Sequence, residues 1–137
     1  MSLQQAIEQV NTINRPAFIP YVMAGDGGLA NLPSIISRLE KLGATAIEIG
    51  IPFTDPVADG PVIEEAGMRA LANGTTLKKV IETLRNTRNE FSIPLIFMSY
   101  LNPILAYGQE QFARDAYEAG VHGVIIPDMP LEEKEIL

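Results

Sequence analysis

Apolar residues along this chain alternate between two habits, a helical spacing of three to four positions and short unbroken runs of strand-forming residues. Leu3, Ala6, Ile7 and Val10 keep helical spacing behind Ser2-Leu3-Gln4-Gln5, which has the form of a capping box, so a short amphipathic helix is predicted to open the chain and pack beneath a larger layer. Residues 17–23 read as a strand, ended by the turn Gly25-Asp26-Gly27-Gly28. A helix follows over 31–42, with Ile35, Ile36, Leu39 and Leu42 on one face and Gly43 as its stop. The second strand starts at Ala46 and runs through Ile51. Pro61 in a first turn and Gly74 beyond the end predict a helix over 61–72, and Thr76 starts another that reaches Asn89. A third strand spans 93–99. The helix over 109–119 turns Phe112, Ala113, Ala116 and Tyr117 inward and stops at Gly120, ahead of a fourth strand over 123–126. Pro127-Asp128-Met129-Pro130 then leads into Leu131-Glu132-Glu133-Lys134-Glu135-Ile136-Leu137, the opening of one more helix.

Two stretches echo each other. Gly43-Ala44-Thr45-Ala46-Ile47 ahead of Ile51-Pro52 resembles Gly120-Val121-His122-Gly123-Val124 ahead of Ile126-Pro127, and each follows an amphipathic helix. The unit of helix, glycine stop, strand and Pro/Asp loop implies parallel β/α units, hence a (β/α) barrel or an open doubly wound sheet. No Gly-x-Gly-x-x-Gly follows the first strand, so the dinucleotide-binding form of the open sheet lacks its main sign.

The 137 residues fit one domain, and 47% hydrophobic residues supply a core. A net charge of −7 with scattered Lys and Arg argues against a nucleic-acid or anionic-membrane surface. Neither a signal peptide nor a run of about 18 apolar residues appears, so a soluble cytoplasmic protein is expected. Without cysteine there is no disulfide, thiolate ligand or cysteine nucleophile, and the single histidine, His122, rules out a multi-histidine metal site within the chain. His122, placed just ahead of the fourth strand, reads as structural.

The chemistry is concentrated around the second strand. Glu48 interrupts an apolar run, sharing one strand face with Ala46 and Gly50 while Ile47, Ile49 and Ile51 share the other. Parallel strands are covered on both faces, so an ionisable group inside one calls for a reason. In a barrel the branched set meets the helices and Glu48 points inward, where desolvation disfavours an ionised carboxylate, as general acid/base work near neutrality requires. Asp59 follows in the loop Pro52-Phe53-Thr54-Asp55-Pro56-Val57-Ala58-Asp59-Gly60-Pro61, better exposed to water. Two carboxylates in unlike surroundings suit a division of acid and base roles. The bland alternatives are a structural acid at Glu48 satisfied by arginine or backbone donors, and ordinary turn chemistry at Asp55 and Asp59 and, more strongly, at Asp26 and Asp128. Tyr21, Tyr100 and Phe53 read first as core, although Tyr21 and Tyr100 lie near strand ends where a barrel builds its site. Loops after the four strands hold acids but no Lys or Arg, so an anionic substrate finds no cationic grip and a Schiff-base mechanism has no lysine. A hard cation such as Mg²⁺ on the carboxylates is the weaker option.

Phe18-Ile19-Pro20-Tyr21 with Ala24-Gly25-Asp26, the motif from Glu48 through Pro61, Met98-Ser99-Tyr100-Leu101-Asn102-Pro103, and Pro127-Asp128-Met129-Pro130 together closely resemble the tryptophan synthase α subunit. The match runs the length of the chain; Gly27 departs from it where many relatives carry proline. That resemblance implies a (β/α)₈ barrel that cleaves indole-3-glycerol phosphate to indole and glyceraldehyde 3-phosphate and passes indole to a pyridoxal-phosphate-dependent β subunit, the α chain having no cofactor or metal of its own. Carried over by motif, Glu48 is the general acid/base and Asp59 the acceptor of the indole N–H. Tyr21, Met98, Tyr100 and Ile125 match the indole-lining positions, and Pro52, Asp55 and Asn102 match the face that docks the β subunit. Length departs from the family, since a (β/α)₈ barrel takes about 250 residues and four β/α units are legible here. The expectation is therefore the first half of a barrel plus an N-terminal helix, lacking the phosphate-binding loops and weakly active or inactive alone. Alternatives are a non-catalytic half-barrel that associates with a missing half, with itself or with a β-type subunit, and a metal-assisted aldolase or isomerase.

Overall fold

The computed structural model describes residues 2–12, 16–54 and 60–129. Its elements follow the order α1 (Leu3–Thr12), β1 (Tyr21–Met23), α2 (Leu32–Lys41), β2 (Ile47–Gly50), α3 (Pro61–Ala72), α4 (Leu77–Asn86), β3 (Leu95–Met98), α5 (Leu101–Tyr107), α6 (Gln109–Glu118) and β4 (Val121–Ile125). Short 3₁₀ turns at Leu29–Asn31 and Arg88–Glu90 precede α2 and follow α4. The strands pair in parallel in the order β1-β2-β3-β4. Each strand lies beside its predecessor, as barrel closure requires, whereas a doubly wound sheet reverses direction partway.

Strand lengths follow from proline. Phe18 and Pro20 still run along β2, their carbonyls accepting from Thr45 and Glu48 N–H at 2.7 and 2.9 Å, but Pro20 has no N–H to return and the ladder begins only at Tyr21. Pro94 shortens β3 in the same way: its carbonyl accepts from Ile47 N–H at 3.1 Å, and the strand starts at Leu95 rather than Ile93. β4 starts earlier than expected, at Val121, and a register shift leaves His122 as the extra residue between pairs Leu95–Val121 and Ile96–Gly123.

Ile47, Ile49, Leu95, Phe97 and Val121 pack one sheet face against Leu32 and Ile36 of α2, Val80, Ile81 and Leu84 of α4, Ile104 of α5 and Phe112 of α6. α3 stands apart from that layer. Its Ala66 and Ala70 pack on Met23, with Tyr21 and Ile63 alongside. Ala6 of α1 is buried, and Leu3 lies near Gly123, so α1 covers the sheet as its amphipathic pattern implies.

Three helical expectations need correction. Leu42 is 71% exposed and Tyr117 68% exposed, and Ala113 also faces solvent. In α2 Leu32 and Pro33 are buried instead, and in α6 it is Asp115. The true inward rows run through Leu32 and Ile36, and through Phe112, Asp115, Ala116 and Ala119. The third is α5, absent from the pattern reading: Pro103 sits in its first turn, where a missing N–H costs nothing, and Gly108 ends it at φ 101°. The helix expected after Pro130 lies outside the described residues.

Candidate active site

Strand register assembles the site. Tyr21 pairs with Glu48, Glu48 with Ile96 and Ile96 with Gly123, so these four residues form one row across the sheet face turned away from the outer helices. Met23, Gly50, Met98 and Ile125 form the next row toward the C-terminal ends of the strands. Glu48 is half-buried there, between Tyr21 and Ile96, while Ile47, Ile49 and Ile51 meet the helices. The alternation in β2 thus divides chemistry from packing as the sequence implied.

Tyr21 leans across its neighbour. A Cβ on Gly50 would overlap the Tyr21 hydroxyl, so the ring occupies the slot that glycine leaves open in the second row. Met98 is buried beside it, whereas Ile125, on the outermost described strand, is 46% exposed. Above β3, Tyr100 is only 2% exposed and its ring centroid stands 5.5 Å from that of Phe53, which follows β2. Tyr21, Met98 and Ile125 therefore line the same face as Glu48, and Tyr100 closes the wall between the segments after β2 and β3. Pro52 is buried at the end of β2, and Asn102 is exposed in the first turn of α5. Asp55 and Asp59 lie outside the described residues.

The remaining loop acids have structural partners. Arg69 of α3 donates from Nε and Nη2 to Asp26 at 2.8 and 3.0 Å, and these bonds hold the Asp26 carboxyl below its usual range. A cation therefore reaches the strand-end loops from a helix, with its donors already committed to an acid. Asp128 accepts from Leu101 N–H at 2.9 Å across the loops after β3 and β4. His122 sits within β4 rather than ahead of it, edge-on to Tyr117 at 6.0 Å, and burial, then Arg88, lowers its pKa. Among the described residues no three His, Cys, Asp or Glu side chains converge as a metal site would need.

Pattern reading passed over two features. Ser99, fully buried, donates through its hydroxyl to the Tyr100 carbonyl at 2.9 Å; its place as the last residue of the expected third strand carries no signal of that bond. Asp115 gathers Tyr107, Gln111 and Arg85 at 2.5, 2.9 and 3.0 Å. The Tyr107–Gln111–Asp115 spacing of four residues could have revealed that cluster, had α5 been recognised.

The family model described as tryptophan synthase alpha chain matches residues 7–137. The tryptophan synthase alpha chain of Oceanobacillus iheyensis is 53% identical over 97% of this chain and 51% of its own length, and that of Bacillus cereus is 54% identical over 90% and 48%. The crystal structure of tryptophan synthase subunit alpha from Legionella pneumophila superposes with a TM-score of 0.93 at 38% identity, over 99% of this chain and 53% of that one. Tryptophan synthase from M. tuberculosis in its aminoacrylate-bound form gives 0.89 at 31%, over 99% and 56%. The chain spans about half the length of the curated relatives it matches. Its four parallel β/α units are half of a (β/α)₈ barrel, and no described helix is long and apolar enough to cross a membrane. The residue rows, the sheet order and these likenesses agree: the chain belongs to the tryptophan synthase alpha chain family.

Proposed function

We propose that this chain is the N-terminal half of the catalytic barrel of a cytoplasmic lyase that cleaves indole-3-glycerol phosphate to indole and glyceraldehyde 3-phosphate. One observation carries the reading: Glu48 is half-buried on the sheet face opposite the helix layer, in register with Tyr21 and one row below Gly50 and Met98. An apolar wall beside a sheltered acid fits an aromatic ring that must be protonated on carbon. Glu48 in its acid form gives its proton to indole C3, which leaves positive charge on the ring nitrogen, and Asp59 accepts the hydrogen bond from that N–H. The bond from C3 to the glyceryl carbon then breaks and its electron pair returns to the ring. The hydroxyl proton of the glyceryl carbon passes to the Glu48 carboxylate as the aldehyde forms, which restores the acid. The substrate phosphate is held by the complementary half of the barrel. Asn102, exposed on α5, and Asp55 would meet a β-type subunit, in which pyridoxal phosphate would supply the chemistry that takes up the indole, whereas Pro52, buried at the end of β2, is withdrawn from the docking face that the resemblance implies.

The test is indole release from indole-3-glycerol phosphate by this chain alone and after mixing with the second half of a full-length relative. Activity is expected only in the mixture, with a fall of about 10²- to 10⁴-fold in Glu48→Gln and in Asp59→Asn. Undiminished activity in both variants removes the two assignments. Loss on chelation, restored by Mg²⁺ or Zn²⁺, favours a metal-assisted aldolase. A half-exposed Ile125 on the inner face favours a second reading, a non-catalytic assembly unit. That reading predicts two halves that associate without releasing indole.

A further inference from the structure

The peptide unit joining Tyr100 to Leu101 is gripped at both of its polar ends by side chains. Its carbonyl accepts from Ser99 Oγ at 2.9 Å, and its N–H donates to Asp128 Oδ1 at 2.9 Å. The N–H groups of a first helical turn have no acceptor within the helix, and the Tyr100 side chain does not accept from the N–H groups of α5 that it caps. Asp128 supplies that acceptor from a position 27 residues away. Its own place is set by β4: Ser99 N–H donates to the Ile125 carbonyl at 3.0 Å, and Met129 N–H closes a turn onto the Ile126 carbonyl at 3.3 Å. With ψ and the next φ held by two oxygens, the Tyr100 backbone is fixed relative to β4 and α5, and from that anchored Cα the ring stands 5.5 Å from Phe53. Phe53 in turn opens the segment leading to Asp59, behind a β2 end anchored by Ile51 N–H on the Met98 carbonyl at 2.8 Å.

We infer that Ser99 and Asp128 are positioning residues: together they clamp the Tyr100–Leu101 peptide and so fix the aromatic wall shared by the segments after β2 and β3. This deepens the lyase reading and rests on it. Neither residue touches substrate. Their effect is on where Tyr100 stands when the indole ring arrives, and a displacement of that kind is felt in substrate binding before it is felt in chemistry.

In the mixed-half assay, Asp128→Ala is expected to raise KM for indole-3-glycerol phosphate about tenfold with a smaller change in kcat, the order of effect for losing one hydrogen bond to a charged group. Asp128→Asn, which keeps an acceptor oxygen, recovers most of the loss. The Ser99→Ala/Asp128→Ala pair loses less than the product of its singles, because both hold one peptide. On this chain alone, Asp128→Ala speeds hydrogen exchange at the Leu101 amide and weakens the Tyr100–Phe53 nuclear Overhauser contacts, and Asp128→Asn restores both. Wild-type KM in Asp128→Ala overturns the inference, as does unaltered Leu101 exchange. An inactive unmodified mixture defeats the lyase reading instead, and the clamp is then decided by the exchange and ring-contact measurements.

Discussion

A Cβ at Gly50 would overlap the Tyr21 hydroxyl and stand 2.6 Å from the ring carbon that bears it, so β2 accommodates Tyr21 across its inner face only with glycine at this position. Gly50→Ala is expected to cost about 1–3 kcal/mol by overpacking, most of it relieved when Tyr21→Ala is added. Urea unfolding of the two singles and the pair checks this, and strict additivity refutes it. Thr75 presents the opposite case. Its buried hydroxyl has no hydrogen-bond partner among the described residues and presses on Gly25, whose φ of 89° and missing Cβ make the approach possible. Thr75→Val removes the unmet polar group and is expected to raise stability by about 1 kcal/mol; a lower melting temperature counts against it. At this scale the division of residues 47–51 into Glu48 and Gly50 against three isoleucines was legible, because strand alternation is a local rule. Which ring fills the space over Gly50, and what crowds Gly25, depends on residues far along the chain, and no local rule carries that.

Among elements, the cluster around Asp115 joins three helices. Tyr107 of α5, Arg85 of α4 and Gln111 of α6 itself all bond to its carboxylate. Burial first, then the bond to Asp115, pushes the Tyr107 hydroxyl up to about 12. The folded state therefore holds the Tyr107 proton more tightly than the unfolded chain, whose phenol titrates near 10. This contribution is whole below about pH 10 and is lost as pH rises toward about 12. Tyr107→Phe is expected to lower the urea midpoint at pH 8 and to flatten its decline between pH 9 and about 12; parallel curves for the two proteins would refute the assignment. Asp115 runs the other way. Bonds from Tyr107 and then Gln111 lower its pKa, so its contribution is present above the ordinary carboxylate value and lost as pH falls through the folded one. The sequence placed α3 at its observed bounds because Pro61 and Gly74 are strong local punctuation. α6 was placed but rotated: Tyr117 carried the stronger apolar signal, and an acid becomes an inward residue only when other elements deliver its donors.

Across the whole molecule, the second inner row ends at Ile125, 46% exposed on the outermost described strand. Ile125→Asp is expected to shift the chain's own unfolding free energy by no more than about 0.5 kcal/mol, while weakening association with the second half of a full-length relative in sedimentation experiments. Unchanged association would mean that this row is not the joining face. The parallel β/α class, the serial run of units and the placing of Glu48 opposite the helix-facing isoleucines were open to inspection in the linear chain, since periodicity, proline and glycine act over a few residues. Folding alone could shift the register of β4 at His122, bury Asp115 in place of Tyr117, and bring Asp128 to Leu101. Each of those outcomes needs a partner many residues distant, and the energy of such a contact exists only once the elements have packed.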